Sequence, residues 1–338
     1  MNINWDKYYS KHCARFYGWL PASQEFHKTK KKPLKYFTLC GRKAIDIFML
    51  ELAGVLKRDK NGMLSGITIC EKDEDQVPEI LELIRPPLGR EAIIPAPLQK
   101  VLTFEDDNYT RGKTILDSEE DRPNPELRKK LIIKDFALRI QTLFPFDIIN
   151  FDPNENLLRS PNQLLYGAFE KIFQLQKVID SFLIFVTTSI THIHPDFKTM
   201  FRRDFDSNVD NYPEIRTSLE ETVNTVQYEQ LPENNRIAIS IAKSTIAGIA
   251  RNNGWNTEHK GIYIYENNNL RKMLNCVVQL TKVNPESEET LYVEDIKRII
   301  KEMPKFFSYE DSLQNQEVIT HLEQVKELRK RIRAEYKL

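Results

Sequence analysis

The residues most able to do chemistry stand at the end of one short stretch, Phe146-Asp147-Ile148-Ile149-Asn150-Phe151-Asp152-Pro153-Asn154-Glu155, where an apolar run passes into a polar, proline-stiffened tip. Proline fixes its own φ and drives the residue before it towards extended backbone, so the acceptors of Asp152, Pro153 and Asn154 are held in place. Fixed acceptors suit a site that must position an amine. The same residues also serve simply to turn a chain after a strand, and both readings stand at this point.

A second constellation is His192-Ile193-His194-Pro195-Asp196, whose two imidazoles and one carboxylate are the donors of a zinc site. Phe197 occupies the position where a further histidine would complete a metallo-hydrolase pattern. The preferred reading is a loop whose histidines meet solvent or cap a helix starting near Pro195, and no metal is expected. There is no Gly-x-Ser-x-Gly elbow and no phosphate-cradling Gly-x-x-x-x-Gly-Lys loop, which removes the usual support for hydrolase and NTPase readings. Eleven glycines in 338 residues, with no Gly-x-Gly-x-x-Gly, also argue against a nicotinamide-dependent dehydrogenase.

Elements that could position such a tip follow from the hydrophobic pattern. A strand over 34–39 leads into a helical pattern at Ala44, Ile45, Phe48, Leu52 and Val55. A second strand over 66–70 ends at Glu71, and a helix follows over 75–84. The third strand is either 92–94 or 100–104; the second is preferred, with the acidic run Glu105-Asp106-Asp107 just beyond it. Helical spacing over 126–143 precedes the fourth strand at 146–151. A helix over 163–178 precedes a fifth strand at 181–187, and an apolar helix covers 237–251. Two last strands, 261–265 and 274–280, are joined by a short polar link and should pair antiparallel.

Four segments, Thr38-Leu39-Cys40-Gly41-Arg42-Lys43-Ala44-Ile45-Asp46, Leu52-Ala53-Gly54-Val55, Ile69-Cys70-Glu71-Lys72-Asp73 and the Asp152-Pro153 strand, resemble the class I S-adenosylmethionine-dependent methyltransferases. Among these they look most like the tRNA guanine N2-dimethyltransferases. The resemblance spans roughly 34–190. It implies an α/β fold with a Rossmann-like seven-stranded sheet whose last strand is antiparallel, helices on both faces, and a helical C-terminal addition. It also implies S-adenosylmethionine as cofactor, held by Leu39, Cys40, Gly41, Glu71, Lys72 and Asp106. The glycine would admit the cofactor to backbone, the helix start would face its carboxylate, and Glu71 would accept its ribose hydroxyls. Asp152, Pro153 and Asn154 would orient the amine to be methylated. The chain departs from the family in having one glycine and no acid in its first motif, and Asn154-Glu155 where an aromatic ring would stack a flipped base. A non-catalytic member of the fold, acting as an interaction module in an assembly, is therefore the alternative.

The expected organisation is an N-terminal basic and aromatic extension over 1–33, an α/β domain over 34–284 and a C-terminal helical extension over 285–338. Lys plus Arg equals Asp plus Glu at 49 each, so only local charge can point to a partner. Lys28, Lys30, Lys31 and Lys32 could meet nucleic-acid phosphates, as could a basic face at Lys326, Arg329, Lys330, Arg331 and Arg333. The apolar stripe Leu322, Val325, Leu328, Ile332 and Tyr336 makes 314–338 a helix that either docks on its own domain or binds a protein partner. Trp5, Tyr8, Tyr9, Phe16, Tyr17 and Trp19 are expected to pack the N-terminal segment onto the domain. Cys13, Cys40, Cys70 and Cys276 form no Cys-x-x-Cys pair, and no apolar run is long enough to span a bilayer, so a cytoplasmic protein without membrane contact is expected.

Overall fold

In the computed structural model, which describes residues 9–30, 32–39, 44–60, 63–78, 80, 93–104, 125–153, 156–160, 164–267, 269–284 and 288–335, one mixed sheet organises the chain. Helix α1 (Tyr9–Ala14), a π-helical turn (Arg15–Trp19) and α2 (Leu20–Lys30) precede β1 (Tyr36–Thr38), and α3 (Ile45–Leu52) precedes β2 (Ile67–Cys70). Then come β3 (Ile93–Ile94), α4 (Leu98–Leu102), α5 (Pro125–Leu143), β4 (Ile148–Phe151), α6 (Leu164–Leu175) and β5 (Ser181–Ser189). Helices α7 (Pro195–Asn211), α8 (Pro213–Val223) and α9 (Glu233–Ser240) lead through a π-helical stretch (Ile241–Ala247) into α10 (Gly248–Asn252). The hairpin β6 (Trp255–Glu266) and β7 (Lys272–Lys282) is followed by α11 (Glu288–Glu302), β8 (Lys305–Phe307), α12 (Tyr309–Ser312) and α13 (Gln316–Glu335).

The strands lie in the order β3-β2-β1-β4-β5-β7-β6-β8. β7 runs antiparallel to both its neighbours, and every other pairing is parallel. Successive side chains in a strand point to opposite faces, and the sequence uses both. Phe37, Ile149, Ile184 and Val278 enter one core, while Tyr36, Ile148, Leu183 and Val277 enter the other. Apolar residues at consecutive positions are what a sheet covered on both faces requires. One face is covered by α4 to α11, the other by α1 to α3 and α13.

Three expectations need correction. The sheet has eight strands among the described residues, not seven, and its last strand, β8, is parallel to β6; the antiparallel strand is the seventh. The third strand is Ile93–Ile94, and the preferred 100–104 lies largely in α4. Pro97 caps α4 in extended backbone, and Leu98, Val101 and Leu102 bury one helical face, a spacing too short to separate from a strand by pattern. The segment before β1 packs onto the domain, with Trp19 and Phe26 buried in the same core as Tyr36 and Phe48. Gly18 is needed for that approach, because a Cβ there would come within 2.5 Å of the Tyr263 ring.

The aromatic expectation holds for the described residues: Tyr9 and Trp19 are buried, and Phe16 and Tyr17 half-buried. Trp19 stacks on Phe185 at 4.5 Å and donates to Asn275 Oδ1 at 2.9 Å. Trp5, Tyr8, Lys31 and Tyr336 lie outside the described residues. No helix among the described residues is long and apolar enough to cross a membrane.

Candidate functional site

The order β2-β1-β4 reverses the winding of the sheet at β1, and the crevice beyond the carboxyl ends of such strands is where open α/β sheets bind ligands. Leu39 follows β1, Glu71 follows β2 and Asp152 follows β4. With strands spaced as in any sheet, Glu71 and Asp152 flank the end of β1 about 10 Å apart. Glu71 is nearly buried, and its Oε1 accepts the Asp73 backbone N–H at 2.9 Å. Lys72 is exposed and Leu39 half-buried. Cys40, Gly41, Asp106 and Asn154 lie outside the described residues.

Asp152 is buried, as is Pro153, and its carboxylate already meets cations. The Lys11 ammonium forms an ion pair with Oδ2, and Arg15 Nη2 stands 3.6 Å from the same oxygen. Lys11 and Arg15 are four residues apart, so α1 and the turn after it bring both to one place. The Arg15 guanidinium is further fixed over the Trp19 ring at 5.0 Å. Burial lowers the Lys11 pKa, and neighbouring Arg15 lowers it further, against the pull of Asp152. A primary amine of the chain itself therefore sits on the Asp152 carboxylate.

Beneath this corner is a fully buried polar cluster. Asp46, in the first turn of α3, accepts at Oδ2 from Tyr36 Oη at 2.6 Å, Thr38 Oγ1 at 2.6 Å and Asn150 Nδ2 at 3.2 Å. Burial, with Asp46 adjacent, pushes the Tyr36 phenol well above its ordinary value, so it remains a donor. Asp46 Oδ1 and Asn150 Oδ1 are buried and have no hydrogen-bond partner among the described residues. Such acceptors, one in the first turn of α3 and one in β4, are costly unless a donor reaches them.

α1 is also clasped from behind. His12 Nε2 and His321 Nδ1 lie 3.0 Å apart, with the two rings stacked at 5.2 Å, which joins α1 to α13. Burial is the main reason that both imidazoles are held below their ordinary pKa, His12 well below.

Several of the other expected site residues bond within the chain. His194 accepts the Asp196 backbone N–H and so caps α7. Lys30 donates to the Ser181 carbonyl at 3.1 Å, Lys32 pairs with Asp147 at 3.1 Å, and Lys28 is exposed. The tail stripe Leu322, Val325, Leu328 and Ile332 is buried in the core shared with α3, so it faces its own domain instead of offering an apolar face to a protein partner. On its outer side, Lys326 and Lys330 pair with Glu323 and Glu327 one turn away.

Sequence reading missed Lys11, Arg15, His12, Asp46 and Asn150. The signals were present as Lys-His-Cys-Ala-Arg in an aromatic segment, an acid in the first turn of a helix and an amide inside an apolar strand, but each is ordinary in isolation. No protein-family model, curated protein or solved structure matches the chain.

Proposed function

We propose that the crevice beyond β1 takes S-adenosylmethionine and that the chain transfers a methyl group to an amine of a nucleic acid or other macromolecule, in the manner of the class I methyltransferases. The observation that carries this reading is topological. The first seven strands end in one, β7, that runs against all the others, and the winding reverses at β1, between Glu71 and Asp152. The polar groups fit a nucleoside bearing an amino acid: Glu71 keeps one carboxylate oxygen free of the Asp73 N–H for a ribose hydroxyl, and Asp46 Oδ1 and Asn150 Oδ1 have no donor among the described residues.

When bound, the sulfonium supplies an electrophilic methyl carbon. The chain's own contribution is position. Asp152 holds an amine through its carboxylate, orients the nitrogen lone pair and stabilises the positive charge that grows on nitrogen as the bond forms. Pro153 keeps that carboxylate from swinging. The Lys11 ammonium occupies the amine's place and has to leave before a substrate nitrogen can enter.

Calorimetric titration tests the reading. S-adenosylmethionine should bind the wild type with measurable heat, and Glu71→Ala should weaken it at least about tenfold, the scale of one or two lost hydrogen bonds to a charged group. No heat at millimolar ligand with either protein would sink it.

A second reading, a fold retained as an interaction module without chemistry, is favoured by Lys11 and Arg15 together closing Asp152. Cofactor binding without methyl transfer, in the wild type and after Lys11→Met alike, would select it.

A further inference from the structure

On the far side of the sheet, α7, the π-helical stretch Ile241–Ala247, α10 and α11 enclose an open cleft of about 450 Å³, with Asn208, Tyr212, Lys243, Ser244, Arg251 and Tyr292 in its wall. Lys243 is 4% exposed, and its ammonium donates to the Asp204 carbonyl at 2.7 Å. A lysine buried for stability ordinarily pairs with a carboxylate. Among the described residues Lys243 has no such pair, because the Asp204 carboxylate turns to Arg203 at 3.3 Å and that of Asp206 to Arg202 at 3.9 Å. Burial pushes the Lys243 amine down to about 7, against the more distant pull of Asp204 and Asp206. Near neutral pH a large share of it is therefore the uncharged nucleophile.

The rest of the wall supplies complementary groups. Arg251 lies over the Tyr292 ring at 4.1 Å and pairs with Glu288 at 3.3 Å, with about a third of each of these two charged side chains still exposed. The Tyr292 hydroxyl is held by Asn208 at 3.0 Å, and burial raises its pKa to about 12, so it stays neutral. Ser244 Oγ is buried and has no hydrogen-bond partner among the described residues. π-Helical stretches recur at functional sites because the extra residue redirects side chains, and here one carries both Lys243 and Ser244.

We propose that this cleft binds a small aldehyde or ketone carrying a phosphate or carboxylate, which Lys243 captures as an imine while Arg251 takes the anionic group. The amine lone pair forms the C–N bond, the carbonyl π electrons move to oxygen, and the oxygen leaves as water with both amine hydrogens. Ser244, the next residue in the same wall, brings a hydroxyl to the cleft. The step is independent of the crevice beyond β1.

The test uses the full chain with pyridoxal 5′-phosphate as the aldehyde-and-phosphate probe, followed by borohydride reduction and peptide mapping. Expected is one dominant adduct, at Lys243, whose rate of formation rises through pH 7 and levels off above it, while exposed lysines continue to gain reactivity towards their higher pKa. Lys243→Met should lose that adduct, and Arg251→Gln should slow capture of pyridoxal 5′-phosphate at least about tenfold without slowing pyridoxal, which lacks the phosphate. Adducts spread over exposed lysines in the wild type, with Lys243 unlabelled, would overturn the proposal whether or not the variants fold. So would equal loss of both probes in Arg251→Gln.

Discussion

At the scale of single residues, the account turns on Asp152 and the ammonium that sits on it. Removing that ammonium by Lys11→Met leaves the carboxylate with Arg15 at 3.6 Å as its remaining cation, in a nearly buried corner. Stability should fall by about 1–3 kcal/mol, the cost of an under-satisfied buried polar group, and urea denaturation would measure it. In the same variant the carboxylate is open to another amine, so methyl transfer should rise; a variant as stable as the wild type and no more active would contradict the role given to Lys11. The place of Asp152 and Pro153 just after β4 was legible in the sequence, because the apolar run stops at Phe151 and a proline follows. Lys11 was not, since nothing in a one-dimensional pattern says that residue 11 folds back onto residue 152.

At the scale of elements, the attachment of α1 governs access to that corner. His12 and His321 hold it to α13 as neutral rings, and the folded chain resists protonating either, because burial disfavours the charged imidazole. Between their depressed folded values and the ordinary value of 6.5, the unfolded chain binds more protons, so stability rises with pH across that window. The denaturation midpoint should be flat above pH 6.5 in this respect and fall as the pH drops below it. His321→Gln should make the fall shallower, and parallel profiles for the two proteins would exclude the clasp as its cause. Strands β1, β2, β4 and β5 were readable because each is a mostly apolar run rich in β-branched and aromatic residues. β3 was not: Ile93–Ile94 is two residues long and earns its place only by pairing with Ile69 and Cys70 of β2.

At the scale of the whole molecule, two cores on opposite faces of one sheet divide the chain's work. The core that includes α1, α3 and α13 fixes the crevice beyond β1, so segments that read as appendages at either end of the sequence are part of its walls. Periodicity showed that residues 322 to 332 form an amphipathic helix but could not say whether its apolar stripe meets another protein or its own domain; burial of Leu322, Val325, Leu328 and Ile332 against α3 decides for the second. The other core lies beside the Lys243 cleft, so the two proposed sites stand on opposite faces of the sheet. The central claim concerns the first of them. A crystal structure grown with S-adenosylhomocysteine tests it most directly: the ribose should lie on the Glu71 carboxylate, with the sulfur towards Asp152. A nucleoside bound elsewhere, or a crevice that stays closed by its own side chains at saturating ligand, would contradict it.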